Sequence, residues 1–165
     1  MSYVKKKNYK YYFFILFLLI IILFFYFIYN KNEKEKILAL KPISINLLTS
    51  VHPDLPWNFK PTNPKILIMP SEVTTVEYTV ENFSDKETTG IATFVYFPDK
   101  FGNYIRKINC FCYDAKTLKP NEKSKFTLVL LIDPEVTKDS KTKDLKEATI
   151  QFTFFDYKKY KEKRN

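Results

Sequence analysis

Nineteen consecutive residues, 11–29, carry no charged side chain, and nothing else in the chain restricts its folding so severely. Backbone N–H and C=O groups placed in hydrocarbon must be satisfied internally, which a single segment manages only as a helix. At 1.5 Å per residue the run spans about 28 Å, close to the hydrocarbon thickness of a bilayer. It exceeds the ~7–15 apolar residues of a cleavable signal peptide. Residues 30–36, next in the chain, are polar and charged, with no small-residue cleavage site, so a retained transmembrane helix is expected. Tyr11, Tyr12, Tyr26 and Tyr29 suit interfacial aromatic belts. Lys5, Lys6, Lys7 and Lys10 precede the run, whereas Lys31, Lys34 and Lys36 after it alternate with Glu33 and Glu35. That lysine bias places the N-terminus inside and everything after the helix outside, a single-pass arrangement.

The 165 residues divide into a basic tail (1–10), the helix (11–29), a charged linker (30–41), one domain (42–156) and a basic C-terminal tail (157–165) expected to be solvated and frayed. A domain of this size supports a single core. From Pro42 onward, short runs of β-branched and aromatic residues alternate with turn residues, an all-β pattern. Strands are predicted at 43–51, 65–69, 73–81, 88–97, 105–113, 124–133 and 148–155, and seven short strands point to a β-sandwich. Period-two alternation puts Val76, Tyr78 and Val80 on one face, as it does Phe126, Leu128, Leu130 and Ile132, and Ile150, Phe152 and Phe154. Turns fall at 82–86, 98–103 and 118–122. In the last, Pro120 fits position i+1 and Asn121 can adopt the left-handed conformation.

The net charge of +9 comes with no nucleic-acid-binding motif, and an exported domain would not meet genomic DNA, so no nucleic-acid partner is expected. Catalytic signatures are missing too. The chain has no Gly-rich phosphate loop and no His-Glu-x-x-His helix, and its one histidine, His52, cannot serve both a triad and a metal cage. The protein is not expected to be an enzyme, and His52, followed by Pro53, reads as a loop residue.

The only two cysteines, Cys110 and Cys112, are one residue apart. In an extended strand they share a face, with Cα atoms roughly 6.6 Å apart. Two such sulfurs can grip one soft ion. One protomer cannot close a four-ligand zinc site with them, and thiolates without harder partners select Cu(I). Met69 is the only methionine after the initiator, which leaves any soft-metal site to Cys110 and Cys112. Two other readings stand beside this one: small buried hydrophobes, or a disulfide, which a strand would strain. With Phe111 and Tyr113 directed to the core on the opposite face, the thiols would point outward.

Five segments extend the pattern: Asp54-Leu55-Pro56-Trp57-Asn58-Phe59-Lys60-Pro61, Lys107-Ile108-Asn109-Cys110-Phe111-Cys112-Tyr113, Thr117-Leu118-Lys119-Pro120-Asn121-Glu122, Ile132-Asp133-Pro134-Glu135 and Phe152-Thr153-Phe154-Phe155. Their order and spacing resemble the CtaG-type assembly factors of cytochrome c oxidase over residues 42–156. The resemblance implies a single-pass inner-membrane protein with an immunoglobulin-like domain outside. It implies Cu(I) carried on Cys110 and Cys112, supplied by an upstream copper donor and delivered to the CuB centre of oxidase subunit I. It also implies a carrier that works as a dimer, here a possible homodimer bridged by copper. Trp57, Phe59, Asp133 and Glu135 are expected to fix the sandwich, with a docking role as the alternative for Asp133 or Glu135.

The chain departs from the family at four places. It lacks the further cysteine just outside the helix and the glycine- and threonine-rich connector, and it has Tyr113 for phenylalanine and Asn121 for glycine. A membrane-tethered thiol–disulfide oxidoreductase and a structural β-sandwich scaffold are the competing functions. The compartment is the periplasmic side of a bacterial inner membrane, or the intermembrane-space side of the mitochondrial inner membrane for an organelle-encoded chain. Near-absence of arginine (Arg106 and Arg164 only) and of glycine (Gly90 and Gly102) hints at an AT-rich genome.

Overall fold

The structure is a computed structural model that describes residues 9–38 and 40–163; the basic segment 1–8, residue 39 and the last two residues of the C-terminal tail lie outside the described residues. Two compact units emerge, residues 1–39 and 40–165. The first is helix α1, Tyr9–Leu38, of which Tyr11–Lys31 is long and apolar enough to cross a membrane. The helix runs through most of the predicted linker because the Lys- and Glu-rich stretch after Asn30 consists of good helix formers.

The second unit is an immunoglobulin-like sandwich with nine strands among the described residues: β1 (Ile43–Val51), β2 (Trp57–Pro61), β3 (Lys65–Ile68), β4 (Val73–Asn82), β5 (Thr88–Phe97), β6 (Ile105–Cys110), β7 (Lys116–Leu118), β8 (Lys123–Ile132) and β9 (Glu147–Asp156). One sheet has the order β3-β1-β9-β5-β7 and the other β2-β4-β8-β6. β1 runs parallel to β9 and every other pairing is antiparallel. The short strands β2 and β7 escape the sequence pattern. Helix α2, Tyr157–Glu162, forms where a frayed tail was expected. The Asp156 carboxylate accepts a hydrogen bond from the Lys159 N–H, and Lys159 forms an ion pair with Asp54 at 3.1 Å.

The predicted inward faces of β4, β8 and β9 are all buried, and they meet between the sheets. The centre of the core is aromatic: Phe59 stacks on Tyr78 at 5.1 Å between ring centroids and meets Phe154 edge-on at 4.9 Å. Trp57 lies 5.2 Å from Phe154 and its indole N–H donates to Thr88 Oγ1 at 2.7 Å. Trp57 and Phe59 thus fix the sandwich as expected. Asn121 has φ 54°, the left-handed conformation anticipated for it.

Trp57 dictates the glycine at position 90. A Cβ there would lie 2.8 Å from Leu55 Cδ2 and 2.9 Å from Trp57 Cζ3. Gly90→Ala is therefore expected to destabilise the domain by about 1–3 kcal/mol, the usual cost of overpacking. Urea unfolding of the full chain in detergent micelles, followed by emission of its single tryptophan, checks this; an unchanged midpoint contradicts it.

Candidate functional site

β6 is an edge strand whose register against β8 slips between Lys107 and Asn109: Lys107 lies opposite Leu130, Asn109 opposite Val129 and Cys110 opposite Leu128. The bulge leaves Ile108 more than half exposed, while Cys110 is turned into the interior. The strand ends at Cys110, and Phe111–Tyr113 form a single 3-10 turn. From it the chain continues to β7, on the edge of the other sheet. Cys110 and Cys112 therefore sit where the chain crosses the open side of the sandwich.

Two expectations about this segment are overturned. An extended strand over 105–113 would have put both sulfurs on an outward face, but Cys110 is 4% exposed and Cys112 8%. Tyr113, expected in the core, is 56% exposed. The cause is Phe111, whose ring enters the aromatic core against Phe152 at 4.9 Å, Tyr78 at 5.3 Å and Phe126 at 5.5 Å. The turn that seats this ring draws both neighbouring cysteines inward and shortens their Cα separation to 5.0 Å. That separation is within disulfide reach. A disulfide joins them, the pairing that an extended strand had disfavoured. The Cys112 N–H donates to Cys110 Sγ at 3.2 Å, and the Tyr113 hydroxyl donates to the Lys107 carbonyl at 2.9 Å.

Sequence reasoning gave Lys107 no role beyond its place in the motif. Its Nζ lies 2.9 Å from the ring centroid of Phe94 and 5.9 Å from those of Tyr96 and Tyr113. Burial pushes its pKa down to about 8, while the ring faces favour its charged form. Burial likewise pushes the Tyr96 hydroxyl up to about 12. The signal was absent from the chain order because Phe94 and Tyr96 lie on a different strand of the opposite sheet.

Because the folded-state pKa of Lys107 is below its unfolded value of 10.5, the unfolded chain binds more protons between about pH 8 and 10.5. The folded state accordingly gains stability from this group as pH rises through that window, and gains nothing below it. Lys107→Met is expected to flatten the rise. Urea midpoints of both proteins at pH 7.5 and 9.5 provide the check; identical slopes contradict it.

The other candidates lie apart from the cysteines. His52 stands after β1, its Nδ1 accepting from the Asp54 N–H at 3.3 Å and its ring 5.6 Å from Phe155. Asp133 accepts from Arg106 Nη2 at 2.7 Å and from the Glu135 N–H at 3.0 Å. It thereby ties the end of β8 to the start of β6, the structural part expected of it. These contacts hold the Asp133 carboxyl below the usual carboxylate range, the Glu135 N–H contributing most. Glu135 is exposed and pairs with Lys138. Among the described residues no group of three or more His, Cys, Asp or Glu side chains is assembled as metal ligands. A metal on Cys110 and Cys112 would have two sulfur donors from one protomer. Once the disulfide is reduced, that donor set suits Cu(I) and not a closed zinc site.

An apolar helix followed by a two-sheet sandwich with a cysteine pair at its rim defines a class of small helix-plus-sandwich proteins. Within that class, residues 26–156 match the family described as cytochrome c oxidase assembly protein CtaG/Cox11. The cytochrome c oxidase assembly protein CtaG of Sinorhizobium fredii is 38% identical over 119 residues, covering 72% of this chain and 60% of that protein. CtaG of Brucella ovis is 36% identical over 121 residues, 73% of this chain and 60% of the relative. CtaG of Bradyrhizobium diazoefficiens is 36% identical over 118 residues, 72% of this chain and 55% of the relative. The chain belongs to the CtaG/Cox11 family. Its matched part spans about 60% of the length of the first two of these relatives.

Proposed function

We propose that this chain is a membrane-anchored carrier that binds Cu(I) on Cys110 and Cys112. It delivers the ion to the CuB centre of cytochrome c oxidase subunit I during oxidase assembly. α1 is the anchor, with the N-terminus inside and the sandwich outside, in a bacterial or mitochondrial inner membrane. The observation that carries this reading is the position of the chain's only two cysteines: joined to each other at the rim of the sandwich, on a member of this family.

The disulfide is the unloaded, oxidised form. A dithiol reductant supplies two electrons and two protons, breaking the Sγ–Sγ bond to give two thiols while it becomes a disulfide itself. Cu(I) from an upstream donor then displaces both thiol protons and is held by two thiolates. Asn109, Tyr113 and Asp114 beside the pair are exposed, and copper uptake requires the Phe111–Tyr113 turn to open and the Cys110 end of edge strand β6 to lift, because both sulfurs are buried. Two ligands, where a structural site has four, leave room for an incoming ligand, and copper passes on by exchange. With no cysteine just outside the helix, reduction and loading rely on external partners.

The test is the copper-to-protein ratio of reduced full-length protein loaded anaerobically, beside that of a Cys110→Ser, Cys112→Ser variant. The wild type retains copper and the folded variant does not; equal copper in both sinks the reading. The disulfide also favours a second function, thiol–disulfide exchange with another protein. That reading predicts a reduction potential in the range of thioredoxin-like enzymes without copper retention.

A further inference from the structure

Tyr113 ends the cysteine-bearing turn and is exposed, yet its side chain folds back along the chain instead of running out into solvent. Its hydroxyl donates to the Lys107 carbonyl at 2.9 Å, and its ring centroid lies 5.9 Å from Lys107 Nζ. Lys107 is a firm anchor for that bond. Its backbone lies opposite Leu130, the last pairing before the register of β6 slips, and its amine reaches the other sheet, 2.9 Å from the ring centroid of Phe94. The hydrogen bond therefore closes residues 107–113 into a loop that contains the bulge residue Ile108 and both cysteines. The bond is particular to this chain, which has Tyr113 where the family motif has phenylalanine.

We infer that Tyr113 is a latch, a positioning residue that sets how fast the Cys110–Cys112 pair is uncovered. Within the copper-carrier reading, on which its purpose rests, the latch controls the reduction that precedes loading. Both sulfurs are buried, so an attacking thiolate reaches them only after the turn opens and the Cys110 end of β6 lifts. Those movements separate Tyr113 from Lys107 and break their bond. One thiolate of a dithiol then attacks one Sγ, and the Sγ–Sγ bond breaks to leave a mixed disulfide and a free cysteine thiolate. The second thiol of the reductant displaces the remaining sulfur. Two electrons and two protons end on Cys110 and Cys112, and the reductant leaves as a disulfide. Phe111, packed among five rings, is the larger hold on the turn. Tyr113 adds a directional bond at the surface, which opens without disturbing those rings.

The experiment treats oxidised full-length protein in detergent micelles with dithiothreitol and counts free thiols over time by the mass added by a maleimide. Tyr113→Phe keeps the ring and removes only the hydroxyl. It should be reduced about fivefold faster than the wild type, the factor given by one hydrogen bond of ordinary net strength. Ser50→Ala deletes a hydroxyl contact of similar length, to Thr153 Oγ1 at 2.7 Å on the other sheet, and should leave the rate unchanged. A Tyr113→Phe rate within about twofold of the wild type, below what such a bond supplies, overturns the latch. Equal acceleration in Ser50→Ala overturns it too. If Tyr113→Phe misfolds by circular dichroism, Tyr113→Ala is judged by the same limits. None of these rates involves copper, so a reduced protein that retains no copper sinks the carrier reading and leaves the latch standing.

Discussion

Truncating Phe111 to alanine is expected to cost the sandwich about 3–5 kcal/mol, the range for a fully packed phenylalanine. The ring lies within 6 Å, centroid to centroid, of five others: Phe59 (5.4 Å), Tyr78 (5.3 Å), Phe126 (5.5 Å), Phe152 (4.9 Å) and Phe154 (5.9 Å). The hole would open at the junction of both sheets, where no single side chain can collapse into it. The same substitution should free the turn carrying the cysteines, because that ring is what draws them inward. Two readouts separate these effects in the full chain: the urea midpoint from Trp57 emission, and the rate at which a maleimide alkylates the reduced thiols. Phe111→Leu, which keeps most of the volume, should recover much of both. A loss below 1 kcal/mol, or alkylation no faster than in the wild type, contradicts the role given to the ring.

Asn82→Ala should cost about 2–4 kcal/mol, through a different mechanism. Asn82 is wholly buried at the end of β4. Its side-chain amide donates to the carbonyls of Lys86 (2.8 Å), Lys119 (3.0 Å) and Leu118 (3.3 Å), while its oxygen accepts from the Ser84 N–H and hydroxyl, both at 3.0 Å. One side chain thus binds the β4–β5 turn to the β7–β8 turn, and the Asn121 N–H reaches the Ser84 carbonyl at 3.2 Å across the same junction. Alanine removes every one of these bonds: the Lys86 and Lys119 carbonyls keep the Ser84 hydroxyl and the Glu122 N–H as donors, while the Leu118 carbonyl loses its Asn82 donor in the interior. Asn82→Asp, equal in shape, sets an acceptor against three acceptors and should be at least as damaging. Urea midpoints decide, and an aspartate variant as stable as the wild type would refute the hub.

Strands whose residues alternate over many positions were legible before folding. β1 and β5 occupy the predicted spans, and β4, β8 and β9 differ by a residue or so at their ends. β7 was not legible, because three residues carry no readable period. β2 was not either, since Pro56 precedes and Pro61 ends a five-residue run that otherwise reads as loop. The overrun at 105–113 has a third cause. Alternation fits an extended strand there as well as it fits the observed bulge and turn, and only competition for the core decides between them. Asn82 was read as a turn residue, with nothing in the chain order to show that the two turns it joins lie together.

The amino-acid order alone settled the apolar helix, the all-β character of the domain beyond it, the inward faces of β4, β8 and β9 and the family motif around the two cysteines. Each depends on local periodicity or composition, which neighbouring residues define among themselves. The tertiary structure decided where Cys110 and Cys112 point and that Lys107 rests on Phe94. Those properties belong to side chains brought together from strands far apart in sequence. Which of them wins a place in a close-packed interior depends on the shape of the whole core, and Phe111 took the place that turned the sulfurs inward.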